Sequence, residues 1–225
     1  MILSKQQITS PQDEDFEELE FQGIYGKYKI TAADHLEVKR YRTSVLFCGI
    51  AFCSGIIHWL LIGPTWAWLW LLAIAIGLGL SLKWIHIYLK PLHKTLQLFW
   101  ALGCIGIAVL IINSGGKNLL SVVSSDPIWT LAIGPLFAAL TGLGFKEFFC
   151  FRRPEAIGIT LLIPLSLLGH VSGILNGTTV IFLMSISAFL LLILGIRKLD
   201  MDIAADIGDK SIFDYLENQQ IAEDL

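Results

Sequence analysis

The sequence predicts an all-α integral membrane protein with six transmembrane helices. Of its 225 residues, 55% are hydrophobic and only 16% are charged, and the mean hydropathy is +0.68. Six apolar segments contain no Asp, Glu, Lys or Arg. As helices they extend roughly 26–30 Å each, which is enough to cross the hydrocarbon core. The segments are Val45–Ile62, Trp66–Leu82, Leu96–Ile112, Ile128–Phe145, Ala156–Leu175 and Thr178–Ile196.

The distribution of cations predicts the orientation of these segments. Eleven Lys and Arg residues near segment ends fall on the same side as the N-terminus, and only Lys117 falls on the other side. Short loops rich in Lys and Arg stay in the cytoplasm, so both termini are predicted on the cytoplasmic, or stromal-type, side. The eleven are Lys39, Arg40, Arg42, Lys83, Lys90, Lys94, Lys146, Arg152, Arg153, Arg197 and Lys198.

Three regions follow from this pattern: a cytoplasmic segment at 1–44, a transmembrane domain at 45–197 and an acidic tail at 198–225. The acidic residues before position 21 predict little fixed structure. Aromatic residues and two glycines within 21–30 predict a short hairpin. Thr31 is the predicted N-cap of a helix over 32–43, and this helix is expected to continue into the first span. The tail sequence IFDYLENQQIAEDL fits either a short partner-binding helix or a solvated tail.

Short connections indicate which spans are neighbours. Gly63-Pro64-Thr65 and Asn176-Gly177 each leave room only for an antiparallel hairpin of the flanking spans. Residues 113–127 are predicted to form a small, partly flexible outer loop.

The fourth span carries a face of small residues. Gly134, Ala138 and Gly142 are four residues apart, so they lie on one helical face. In lipid, small residues let a neighbouring helix approach closely. This spacing predicts a central packing helix, although small residues are also common in membrane helices generally.

The exit of the fourth span is the predicted partner-binding surface. Lys146, Glu147, Phe148, Arg152 and Arg153 combine the aromatic and cationic residues that favour a membrane interface. The pattern fits an anchor with a solvated flank. It also fits a docking surface for a protein or an anionic headgroup.

Two histidines lie inside the predicted spans. His58 and His170 both fall near the outer ends of their helices, and neutral imidazole can ligate haem iron or the magnesium of chlorophyll. The alternative is that each histidine hydrogen-bonds a neighbouring helix. Both interpretations stay open at this stage.

Several function classes find no support in the sequence. The spans lack paired carboxylates, and the chain has neither an HExxH motif nor a CxxC pair among its four cysteines. We therefore predict no enzyme activity, no disulfide and no metal site. The net charge of −3 argues against nucleic acid as a partner. Ion-coupled transport usually needs a charge within the membrane, whereas a carrier of neutral or lipidic ligands does not.

Three stretches resemble a family of integral membrane proteins of unknown function from cyanobacteria and plastids. They are GIYGKYKITAADHLEVKRYRT (Gly23–Thr43), LTGLGFKEFFCFRRPEA (Leu140–Ala156) and LLIPLSLLGHVSG (Leu161–Gly173). The resemblance spans residues 20–200 and supplies no catalytic residues. It implies location in a cyanobacterial membrane, either thylakoid or plasma membrane. The first hypothesis is therefore a non-enzymatic auxiliary or assembly factor that contacts lipid and binds a subunit of a photosynthetic complex. The alternatives are a carrier of a small or lipidic ligand, or a pigment- or haem-binding protein.

Overall fold

A computed structural model describes residues 20–87, 89–115, 118–212 and 215. These residues divide into two compact units, one from residues 20–36 and 203 onward, the other from Glu37–Asp202. The acidic cluster at residues 13–18, Lys117 and most of the sequence IFDYLENQQIAEDL lie outside the described residues. The predictions for those segments stay predictions.

The first unit contains a two-stranded hairpin within the stretch where the sequence predicts one. Strand β1 (Glu20–Gln22) pairs antiparallel with β2 (Lys27–Lys29). The turn between them is held by the chain that follows helix α8 (Ile203–Ile207). The Ile24 backbone N–H donates to the Asp209 carboxylate at 2.7 Å, and the Tyr25 N–H donates to the Ser211 hydroxyl at 3.1 Å.

Helix α1 spans Ala32–Leu61 and begins at the predicted cap. The Asp34 N–H donates to the Thr31 hydroxyl at 3.3 Å, and the Thr31 N–H donates back to the Asp34 carboxylate at 2.8 Å. This reciprocal pair satisfies backbone donors that the first helical turn leaves without partners. The predicted helix and the first apolar segment are therefore one continuous helix.

The second unit is a helical bundle. Five helices are long and apolar enough to cross a membrane, whereas α2 has 17 residues and is shorter than the others. Five candidate spans are thus present among the described residues, and the sixth crossing and the orientation stay predictions. After α1, the helices are α2 (Trp68–Trp84), α3 (Lys90–Ser114), α4 (Leu119–Ser125), α5 (Thr130–Phe151), α6 (Pro154–Val171) and α7 (Gly177–Leu199).

Helix α4 occupies the stretch that the sequence predicts as an outer loop. Its Leu119 and Val123 side chains are buried, at 0% and 7% exposure. Because consecutive long helices reverse direction, α4 lies at the end of the bundle where α1, α3 and α6 finish and α2, α5 and α7 begin. We call this end the α4 end.

Glycines of α3, rather than the predicted face of α5, allow the closest approach between these two helices. A Cβ added to Gly106 would collide with the backbone carbonyl of Ala132, and one added to Gly103 would lie 2.7 Å from the Leu136 Cα. Small residues at such a contact let two backbones pack at short distance in lipid. The seam is therefore made by glycines whose partners are ordinary apolar residues of α5.

The predicted packing face of α5 is only partly correct. A Cβ added to Gly134 would meet nothing within 4 Å, and Ala138 is only partly buried. Gly142 does pack, but against the flexible Leu96 side chain rather than a backbone. The prediction of a close-contact face is wrong for Gly134, because α3 approaches α5 on the side of Ala132 and Leu136.

Helices α1 and α7 also meet backbone to backbone. A Cβ added to Gly49 would lie 2.7 Å from the Leu192 Cα, and one added to Gly195 would lie 2.7 Å from the Leu46 Cα. The two glycines thus sit on opposite sides of one seam. The first and last long helices of the bundle are in direct contact.

Candidate functional site

A cavity of about 150 Å³ lies between the helices at the α4 end. All helices of the bundle except α3 contribute to its wall, and the lining is mostly apolar. Among the described lining residues, only His170 is titratable. The wall includes Phe52, Ile56, Trp70, Leu71, Val123, Ile133, Phe137, Leu167, Val180 and Met184.

His170 is held on the cavity wall by α5. The side chain is 8% exposed, and its Nδ1 lies 2.8 Å from the hydroxyl oxygen of Thr130, which is 2% exposed. Both residues line the cavity. Thr130 is the first residue of α5 and His170 lies in the last turn of α6, so the contact joins two helices where the chain reverses.

His58 has a different environment. The Trp70 indole N–H donates to His58 Nδ1 at 3.2 Å, and Nε2 lies 3.0 Å from the Thr65 carbonyl oxygen. Both ring nitrogens are therefore engaged by protein groups, which argues against His58 as a ligand of haem iron or chlorophyll magnesium. His58 does not line the cavity, so the structure does not bring the two predicted histidines to one site.

The cavity is also small for the predicted pigments. Sites that hold drug-sized ligands measure roughly 300–1,000 Å³, which is at least twice the volume found here. A haem or chlorophyll macrocycle does not fit this cavity as it stands.

A buried charge cluster lies at the opposite end of the bundle, formed by Tyr41, Lys146, Glu147, Phe151 and Lys198. The Glu147 carboxylate is fully buried and accepts from Lys198 Nζ at 2.7 Å, from Lys146 Nζ at 3.0 Å and from the Tyr41 hydroxyl at 2.5 Å. A carboxylate at 0% exposure requires such partners, because an unpaired buried charge is very costly. The cluster connects α1, α5 and α7.

Two aromatic rings complete the charge cluster. The Lys146 ammonium lies 5.0 Å from the ring centroids of both Tyr41 and Phe151. The Lys198 ammonium lies 5.0 Å from the Tyr41 centroid and 4.6 Å from that of Phe151. Cations within about 6 Å of an aromatic face are attracted by its quadrupole. Both lysines are thus held by the carboxylate and by rings.

The charge cluster overturns part of the predicted partner-binding surface. Lys146 and Glu147 are only 6% and 0% exposed, so the prediction that they lie on an exposed surface is wrong. Phe148 is half-buried and packs against the core, and Arg153 is also half-buried. Arg152 is exposed and ends α5 in a left-handed conformation with φ of 50°. Exposed residues of that surface are therefore confined to the chain after α5.

Comparison with known proteins places the chain in a family. Residues 80–215 match the family model of the uncharacterized integral membrane proteins called DUF2301. The chain belongs to this family. The resemblance drawn from the sequence is confirmed for the family, although the stretch Gly23–Thr43 lies outside the matched residues.

The chain is also similar to an uncharacterized protein of Haemophilus influenzae. It is 33% identical over 132 residues, which cover 56% of this chain and 64% of the relative. The chain thus spans less than two thirds of that relative's length. No solved structure matches the chain. The DUF2301 match includes Thr130, His170 and four members of the charge cluster, Lys146, Glu147, Phe151 and Lys198, whereas His58 and Tyr41 lie before it.

The sequence pattern indicates His170, but neither its partner Thr130 nor most of the cavity wall. Thr130 carries no special signal, since threonine is common at helix starts. Val123 and Leu120 belong to a seven-residue helix whose sequence, LLSVVSS, is too short to show a helical period. Lys198 was visible as a cation near a span end, but nothing in its local sequence indicates a carboxylate 51 residues away.

Proposed function

We propose that this DUF2301 protein binds a small apolar or lipidic ligand inside its helical bundle and has no catalytic activity of its own. The observation that carries the proposal is the apolar cavity at the α4 end. The charge cluster lies at the other end of the bundle and contributes none of the lining residues. This favours a carrier or receptor of such ligands.

The size and cost of the cavity support a bound occupant. An engineered apolar cavity of about 150 Å³ binds benzene or xenon, so a single ring or a short stretch of alkyl chain fits here. An unfilled apolar volume leaves the atoms of its wall without contact partners on one side. A ligand that fills it recovers much of that contact energy.

The lining residues support the absence of chemistry at this site. Among the described residues of the wall there is no carboxylate, lysine or cysteine beside His170. A hydroxyl nucleophile next to a histidine also needs a third group that orients the imidazole, and no such group bonds to His170 among the described residues. The partner of His170 is the Thr130 hydroxyl, which is 2% exposed.

Two adjacent residues of α6 provide a matched test. Leu167 lines the cavity, whereas Leu168 is 67% exposed. A diazirine-bearing alkyl probe, mapped by peptide mass spectrometry, should label the cavity wall of the wild type and of Leu168→Trp. Leu167→Trp should fill the cavity and lose this labelling. Size-exclusion chromatography and thermal unfolding of both variants control for folding, and equal labelling of the two variants would refute the proposal.

A second candidate is the auxiliary role, in which the protein binds a subunit of a photosynthetic complex in a cyanobacterial thylakoid or plasma membrane. The observation that favours it is the pair of exposed rings at the end of α5. Phe145 and Phe149 are 45% and 75% exposed and stack with centroids 6.0 Å apart, one turn before the exposed Arg152. Exposed aromatics beside a cation suit an interface with a protein or a lipid headgroup.

Charge reversal tests this second candidate. Arg152→Glu should reduce co-purification of partner proteins from the native membrane in mild detergent. Lys83→Glu is the control, because Lys83 is an exposed cation at the end of another helix. If both variants and the wild type co-purify the same set of proteins, a partner whose binding depends on Arg152 is excluded.

A further inference from the structure

The ring of His170 presents one nitrogen to the protein and leaves the other without a protein partner. Nδ1 pairs with the Thr130 hydroxyl, and Nε2 makes no hydrogen bond with any described residue. Nε2 is also not sealed off, unlike the buried Trp68 Nε1 and Glu155 Oε1 atoms. His170 lines the cavity and only 8% of the residue is exposed, so the open space next to Nε2 is the cavity.

The Thr130 hydroxyl fixes which ring nitrogen carries the proton. This hydroxyl is buried, and its contact with His170 is the one hydrogen bond it makes among the described residues. A buried O–H needs an acceptor. His170 Nδ1 is the acceptor present, so Thr130 donates and Nδ1 is unprotonated. In the neutral imidazole the proton then lies on Nε2, which becomes an N–H donor.

The geometry points to a ligand with a carbonyl oxygen at one end of an apolar body. This inference rests on the proposed function and names its ligand class. An N–H group in an apolar cavity binds best to a ligand that offers an acceptor there, because an unpaired buried donor is costly. A quinone ring and an acyl ester both combine such an oxygen with an apolar body, and the experiment distinguishes them. A protonated Nε2 does not ligate a metal.

Pairs of probes with matched shape test the carbonyl requirement. The quinone arm compares duroquinone with durene, which has the same methylated ring without the carbonyl oxygens. The ester arm compares methyl hexanoate with n-octane. Each compound competes with the diazirine-bearing alkyl probe in purified wild-type protein, and its concentration is expressed as the mole fraction in the micelle. The measured quantity is the mole fraction of competitor that halves labelling of the cavity wall.

At least one carbonyl compound should compete about 2- to 12-fold better than its hydrocarbon match, as one net hydrogen bond predicts. The arm that shows the advantage identifies the ligand class. In His170→Phe the advantage should fall to about onefold. In His170→Gln, which keeps an N–H donor, it should be partly retained. Equal competition within both pairs in the wild type would overturn the inference, and so would an advantage that survives in His170→Phe.

The failure of this inference differs from the failure of the proposed function. If hydrocarbon and carbonyl probes compete equally and Leu167→Trp abolishes labelling, the cavity still binds ligands but does not select a carbonyl. If no probe competes and Leu167→Trp labels like the wild type, the proposed function fails and this inference with it. Nitrogen NMR of histidine-labelled protein gives a ligand-free readout. His170, assigned by its loss in His170→Phe, should show a protonated Nε2, and a protonated Nδ1 would overturn the argument.

Discussion

Removing the charge of Glu147 should destabilise the helical bundle more than any other substitution of a single carboxylate at the end opposite the α4 end. Glu147→Gln keeps the shape of the side chain but leaves the ammonium groups of Lys146 and Lys198 beside a neutral amide. The carboxylate is 0% exposed and accepts three hydrogen bonds. Breaking a buried ion pair by changing one partner costs about 3–5 kcal/mol.

The expected effect is measurable as a melting temperature. For a chain of this size, 1 kcal/mol corresponds to a shift of about 2–4 °C, so Glu147→Gln should melt about 6–20 °C below the wild type in detergent. Tyr41→Phe removes one hydrogen bond to the carboxylate, which is worth about 1.5–3 kcal/mol, and should give a smaller shift. The shift should persist at high salt, because buried charges are poorly screened.

Glu37→Gln is the matched control for the buried carboxylate. Glu37 lies on α1, its side chain is 48% exposed, and it pairs with His86 at 3.6 Å. An exposed pair is worth about 0–1 kcal/mol, so this variant should melt close to the wild type. If Glu147→Gln also melts close to the wild type, the charge cluster does not stabilise the bundle and the reasoning is refuted.

Two further predictions concern the α3–α5 seam and the hairpin. Gly106→Ala should lower the melting temperature because the new Cβ meets the Ala132 carbonyl, whereas Gly134→Ala should be neutral or slightly stabilising by the helix propensity of alanine; the reverse order would contradict the observed seam. The Ser211 hydroxyl and the Ile24 N–H lower the pKa of Asp209. The stability that the Asp209 carboxylate contributes is therefore fully present above its unfolded pKa and is lost as the pH falls through its lower folded pKa. Protection of the Ile24 amide from hydrogen exchange should decrease over the same pH range. Asp209→Asn should remove this pH dependence.

The sequence predicts the helices well because their signals are local. Apolar runs of the length of a bilayer, a Gly-Pro turn after α1 and the Asn176 cap before α7 are each read within a few residues. The Asn176 side chain accepts from the Thr179 N–H at 2.9 Å, as a cap should. The sequence also predicts the family correctly.

What the sequence does not predict depends on contacts between distant residues. A lysine at the end of a span usually extends to the interface, so Lys146 and Lys198 gave no sign that one carboxylate would hold both. The Gly134 stripe has the right spacing, but spacing alone does not tell which face a neighbouring helix occupies. The cavity wall likewise combines residues of six helices, and no local pattern reveals such a combination.

The seam between α1 and α7 has a consequence for biosynthesis. Gly49 meets Leu192 and Gly195 meets Leu46, so α1 acquires this close backbone neighbour only when α7 has been synthesised. Lys198, which is one of the two lysine partners of Glu147, is synthesised with the same helix. Nascent chains halted before α7 would therefore expose Gly49 and its neighbours on α1, together with a carboxylate that has only one of its two lysine partners. Both features would mark the chains as unfinished to quality control.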